Sequence, residues 1–308
     1  MPGDSLLYVR SVADTLAFQD SPAKFIDISH QQPVFAQVSD DGSSWVFAIF
    51  LLLFLFRVVY PGLREQHLRK QRIRKTLLAI DERGQQYNDW LQEHNFYYRN
   101  LNGAGKKRFL QRTVEFMRSK RFIYHDLEPE EKIELLVSSA AIQITFGLDQ
   151  YLMEYFRKIH ILKNDYLYGL YNRPFMGHVN SDGIFLSWNN FISGYENYSD
   201  ANNVGLHEMA HALAYENFMT GDDNGEAAFQ RRFAVFSKTA RPIFNKMKEG
   251  ETNFLDQYAS TNYQEFWAVS IENFFEKPAL FKSAMPKLYE ELCYLLNQDP
   301  LSENVFFE

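Results

Sequence analysis

Cysteine is almost missing: 308 residues hold one, Cys293. A single thiol excludes an intramolecular disulfide framework, suits a reducing compartment and removes cysteine as a credible source of metal ligands. A surplus of positive charge is missing too, with 32 Lys and Arg against 39 Asp and Glu, net −7. That argues against direct nucleic-acid binding. No repeat of fixed period and no low-complexity tract is present. No signal peptide is expected, because the first apolar run begins far from Met1 and no small-residue cleavage site follows it.

Long hydrophobic runs are equally scarce. The exception is Trp45 to Phe56, extended past a single Arg57 by Val58, Val59 and Tyr60. A helix over this run would be about 24 Å long, slightly short of a hydrocarbon core of about 30 Å. Arg57 can snorkel, and Trp45 and Tyr60 can sit at the two interfaces, so one transmembrane crossing over residues 44–60 is expected. A buried core helix is the alternative that so short a run permits. Arg57, Arg64, Arg69, Lys70, Arg72, Arg74 and Lys75 follow the run, with Glu65 the one acid among them. The upstream arm, residues 1–43, carries Asp4, Asp14, Asp20, Asp27, Asp40 and Asp41 against Arg10 and Lys24. The positive-inside rule therefore puts the C-terminal part in the cytoplasm, and the basic segment 61–78 beside lipid headgroups.

The chemistry is concentrated at His207-Glu208-Met209-Ala210-His211. Histidines four apart on a helix share one face and can bind one tetrahedral zinc ion, while Glu208 projects beside them. There it can take a proton from a water held on zinc and later hand it to a leaving amine. With 8 histidines in the chain, such a pattern arises by chance in roughly 1% of sequences like this one. Asn202 or Asn203 can cap this helix, and residues 220–225 read as the turn that ends it. Leu206, Ala210, Leu213 and Ala214 are expected to pack inward. A third ligand must come from elsewhere, with a fourth position left open for water. The segment Tyr263 to Glu276 reads as an apolar helix with a stripe of carboxylates. Glu265 and Glu272, two turns apart, are both candidates by pattern.

The chain resembles the Mlc titration factor A family of bacterial zinc peptidases, a branch of the gluzincins. The resemblance rests on Gly183-Ile184-Phe185-Leu186-Ser187-Trp188, on Asn203 to His211, on Tyr258 to Val269, on Glu272-Asn273-Phe274-Phe275 and on Leu288 to Cys293 followed by Asn297-Gln298-Asp299-Pro300. It implies that Glu265 completes a set with His207 and His211 around one Zn²⁺. It implies further that Glu208 is the general base, and that Tyr258, seven residues before Glu265, donates to the oxyanion. Glu272 then looks like a carboxylate orienting a ligand histidine. One departure is visible: members commonly follow the second histidine with Lys-Leu-Asp, where this chain has Ala212-Leu213-Ala214.

Elsewhere, helices are expected over residues 66–78, Lys106 to Ser119 and Glu130 to Thr145. A small sheet is expected from Tyr166 to Leu170, Phe175 to Val179 and Ile184 to Trp188, the last beside the zinc and pairing with extended substrate. Helices then dominate, with breaks near Pro242, Pro278 and Pro286. His178 reads as a satisfied structural histidine. The expected fold is α+β and mainly helical: a gluzincin-like domain over 79–308, with a sheet beside the zinc helix, preceded by one span. The expected function is a zinc metallopeptidase anchored in the bacterial inner membrane and acting on a peptide or protein substrate. The alternatives are a protein that sequesters a transcriptional regulator, and a zinc-stabilised domain without catalysis.

Overall fold

A computed structural model describes residues 44–167, 174–219 and 226–302. Expectations for the arm 1–43, for 168–170 and for the turn 220–225 lie outside these residues. The chain divides into two units, one ending at Pro61 and the other beginning at Gly62.

In the first unit, α1 (Ser44–Phe54) continues through a π-helical turn at Leu55–Val59. No residue there with a described side chain is buried, and Phe47 and Phe56 are more than two-thirds exposed. Among the described residues, the one helix apolar and long enough to cross a membrane is the continuous run Trp45–His94, of which this is the apolar start.

The second unit is mainly helical with a small mixed sheet. Helix α2 runs Tyr60–His94, well past the expected end at Leu78. Its later turns bury Thr76, Ala79, Tyr87 and Leu91, so packing extends the helix beyond the basic stretch. A short α3 (Phe96–Asn100) and α4 (Gly103–Ser119) lead to α5 (Glu131–Thr145), which is buried almost throughout and touches α4 and α7. Helices α4 and α5 fall where the sequence placed them.

The sheet has the order β1-β2-β6-β5. Strands β1 (Arg121–His125), β2 (Lys158–Leu162) and β6 (Gly183–Ser187) are parallel; β5 (Gly177–Asn180) is antiparallel to β6 and forms an edge. Ile159, Ile161, Ile184 and Leu186 point into the core and are wholly buried. The sequence reading missed β1 and β2. It also joined Phe175 to Val179, whereas the chain bends at Met176: β4 (Pro174–Phe175) pairs with β3 (Tyr166–Leu167), and β5 turns to β6. Strand β6 is interior, and β1 and β5 are the edges of the described four-stranded sheet.

After α6 (Trp188–Glu196) and α7 (Val204–Phe218) comes α8 (Ala227–Lys248), which passes through Pro242 without a break. Phe229, Phe236, Ala240 and Met247 are buried on both sides of the proline, and that packing outweighs one lost backbone bond. Pro278 and Pro286 instead open α10 (Pro278–Ala284) and α11 (Pro286–Leu296), as suits proline at a first helical position. Before them, a 3₁₀ turn (Gln257–Ser260) precedes α9 (Tyr263–Glu276). Helix α7 touches β5, β6 and α9, and these neighbours build the site.

Candidate metal centre

Asn203 caps α7, its Oδ1 accepting from the Leu206 amide at 3.0 Å. Asn262 caps α9 in the same way, accepting from the amides of Gln264 and Glu265. Each cap starts its helix a few residues before the functional side chains, which fixes where they emerge. Trp267 locks the two helices together. It is fully buried, and its Nε1 donates to the Ala210 carbonyl at 2.8 Å. Leu206, Ala210 and Leu213 pack inward as expected, whereas Ala214 is half-buried and faces a cleft.

One nitrogen from His207, one from His211 and one oxygen from Glu265 lie within 4.8 Å of one another. His207 Nε2 is 3.0 Å from Glu265 Oε2 and 3.1 Å from His211 Nε2, and His211 Nε2 is 3.5 Å from Glu265 Oε2. Bonds of about 2.0–2.1 Å at tetrahedral angles would hold neighbouring ligand atoms about 3.3 Å apart. The three spacings bracket that value, so the three atoms are placed where one cation would fit. The donor set and its shape suit a four-coordinate divalent ion with one position open to the cleft.

The two glutamates left open by pattern part here. Glu265 faces the shared point, while Glu272, two turns on, reaches the far nitrogen of His207, Nδ1, at 3.0 Å. A carboxylate there selects the tautomer that leaves Nε2 free as a ligand. Burial would lower the His207 pKa, but hydrogen bonds to Glu265 and Glu272 overcome it and hold the ring well above the ordinary histidine range. Burial also opposes ionisation of Glu265, yet hydrogen bonds from both histidines bring that carboxyl far below the usual range. Burial raises Glu272.

Glu208 is buried beneath the pair, and its Oε2 has no hydrogen-bond partner. Burial pushes its carboxyl upward, against the pull of both histidines. It is pressed against β5: a Cβ on Gly177 would lie 2.5 Å from Glu208 Cγ. Sequence reasoning missed Gly177, since a glycine before a short strand looks like ordinary turn punctuation.

Tyr258, on the 3₁₀ turn, is 45% exposed, lines the cleft and has its ring centroid 6.2 Å from that of His207. His178, expected to be a satisfied structural histidine, is hydrogen-bonded and also lines the cleft. Its Nδ1 is 2.6 Å from the Tyr166 hydroxyl, its ring stacks on Phe185, and burial lowers its pKa to about 4.

The cleft has two halves meeting at His207, Glu208 and Tyr258. The larger has a cavity volume of about 900 Å³ and extends between α7, α8 and the start of α9. The smaller, about 650 Å³, lies towards Asp200, Asp256 and Lys277.

Residues 66–295 match the family described as glucose-regulated metallo-peptidase M90. The chain belongs to that family. Among curated relatives of this M90 chain, Mlc titration factor A of Yersinia pestis is 29% identical over 126 residues, 39% of this chain and 45% of the relative. The protein of the same name from Yersinia pseudotuberculosis gives the same figures. An uncharacterized protein of Synechocystis sp. is 28% identical over 124 residues, 38% of this chain and 44% of its own length. The matched stretch thus spans less than half of these relatives.

Proposed function

We propose that the chain is a zinc-dependent metallopeptidase. The observation that carries this reading is the convergence of His207, His211 and Glu265 beside a buried Glu208 whose Oε2 lacks a partner. Two imidazoles and a carboxylate with an open position are the donor set of catalytic zinc sites. Zinc held there would supply Lewis acidity towards water and a peptide carbonyl.

The chain's own groups do the rest. Glu208 Oε2 takes a proton from the attacking water and returns it to the leaving amine, and the carboxylate's raised pKa suits both halves of that task. Tyr258 donates its phenolic hydrogen to the oxyanion as the carbonyl becomes tetrahedral. Glu272 keeps His207 in the ligating tautomer. Strand β5, at an edge of the described sheet where β6 is interior, is the strand that an extended peptide would pair with. Residues 79–308 form the catalytic part, and the basic segment 61–78 rests against lipid headgroups. Residues 44–60 cross the bacterial inner membrane once, supported by the exposed apolar helix and its charged flanks, with the site on the cytoplasmic side and residues 1–43 outside.

The name of the Yersinia relatives, Mlc titration factor A, favours a second reading in which this chain sequesters a transcriptional regulator. Glu208→Gln separates the two. Under the peptidase reading it keeps zinc and loses hydrolysis by about 10²–10⁴-fold. Under the sequestering reading neither protein cleaves any member of a peptide library, and both retain the regulator.

A further inference from the structure

The larger half of the cleft is chemically lopsided. Its walls are Phe218 from α7 and Phe233 and Ala234 from α8, with the buried Trp267 of α9 packed against Phe233. Phe218 and, beside it, Met219 are 45% and 64% exposed, so the mouth is apolar as well as the interior. A volume of about 900 Å³ is that of a site that encloses several groups of a ligand rather than one. Apolar surface of this kind, open beside a candidate metal centre, gains most by covering a large apolar side chain.

Among the described residues, the charged groups of this half are all of one sign once the metal centre is set aside. Lys238 and Arg241, three apart on the face of α8 that carries Ala234 and Ser237, line the same cavity. No carboxylate among the described residues lines it apart from Glu208 and Glu265. Among the described residues, neither cation forms an ion pair. Arg241 is held in place, its guanidinium 4.5 Å over the ring of Tyr263, whose hydroxyl donates to Ser237 at 3.0 Å. Stacking fixes the plane of the fork and leaves its N–H edge free, the arrangement that receives a carboxylate in two parallel bonds. The opposite half of the cleft has the reverse bias, with Asp200 and Asp256 against Lys277.

We propose that the larger half of the cleft selects peptides in which a bulky apolar side chain lies beside a carboxylate, the aromatic wall taking the first and Lys238 with Arg241 the second. This rests on the peptidase reading for its substrate class but concerns recognition, which can be measured without turnover. The carboxylate is that of an Asp or Glu side chain or of a chain terminus.

The test uses full-length Glu208→Gln protein loaded with zinc and a fluorescein-labelled octapeptide with Phe followed by Asp at its centre. Controls are the same peptide with Asn for Asp, with Lys for Asp, and with a free or an amidated C-terminus. The expected result is that the Asp peptide binds about 10-fold more tightly than the Asn peptide, the scale of two charge-assisted contacts at a partly exposed rim. Adding Lys238→Glu and Arg241→Glu should remove that preference and turn it towards the Lys peptide, with zinc content and thermal unfolding unchanged. If the free terminus alone carries the gain, the carboxylate recognised is terminal; if the Asp does so with an amidated terminus, it is a side chain. Equal binding of the Asp and Asn peptides overturns the proposal, as does a preference that survives charge reversal. Wild-type protein digesting the peptides without acid preference would sink this inference and leave the peptidase reading standing. Selective binding without any cleavage would do the opposite.

Discussion

Gly177→Ala is the substitution whose effect the geometry specifies most closely. The added methyl would stand 2.5 Å from Glu208 Cγ, 2.7 Å from its Oε1 and 2.8 Å from its Cδ. Carbon atoms rest at about 3.5–4.0 Å, so the carboxylate must move by about 1 Å or β5 must leave its pairing with β6. The strand is pinned by register, Gly177 opposite Leu186 and Val179 opposite Ile184, so the side chain gives way first. A displacement of about 1 Å in a group that must meet a proton in flight costs about 10²-fold in rate. The three atoms nearest the methyl all belong to Glu208, so zinc content should stay at one ion per chain. The assay is kcat on a cleaved peptide, with metal analysis and thermal unfolding on the same preparation. Full activity in Gly177→Ala would refute the placement of Glu208 against β5. Loss of zinc along with activity would show that the strand supports the ligands rather than the base.

Glu272→Gln should weaken zinc binding by about 10–100-fold without removing a ligand, as read by competition with a chelator. Trp267→Ala should cost about 3–5 kcal/mol in unfolding experiments, since it empties a buried site between α7 and α9 and removes the indole bond to the Ala210 carbonyl. Glu276 gives a pH signature. Burial raises its carboxyl to about 8, so the folded chain holds a proton that the unfolded chain releases near the ordinary glutamate value of 4.5. Stability from this group is therefore full below about pH 4.5 and is lost as pH rises to about 8, with a slope of at most about 1.4 kcal/mol per pH unit. Glu276→Gln should flatten that decline in midpoints measured from pH 5 to 8, and an unchanged slope would exclude the burial effect.

What could be read from the sequence was whatever lay within one or two helical turns. The spacing of His207 and His211, the Asn203 cap and the carboxylate stripe on α9 are local, and the structure bears out that geometry. Pattern alone left Glu265 and Glu272 equivalent because both face the same way. The distinction arises from where α9 crosses α7, two turns carrying one carboxylate to Nε2 and the other to Nδ1 of a single ring. Strands β1 and β2 escaped for the same reason: their partners are distant in sequence, and a run such as Arg121-Phe122-Ile123-Tyr124-His125 has no alternation to announce it. Pro242 misled because its rule concerns backbone bonds, whereas buried Phe236, Ala240 and Met247 decide the path of α8. The wall formed by Phe233, Lys238 and Arg241 gave no sign in sequence, being ordinary amphipathic helix until folded beside the histidines.

The most direct test of the account is X-ray absorption at the zinc edge on purified full-length protein, with Glu265→Gln as comparison. The account predicts one zinc per chain, bound to two imidazole nitrogens and a carboxylate oxygen at about 2.0–2.2 Å, with the carboxylate contribution lost in the variant. A protein that binds no stoichiometric zinc, or zinc whose coordination contains no imidazole, would contradict it.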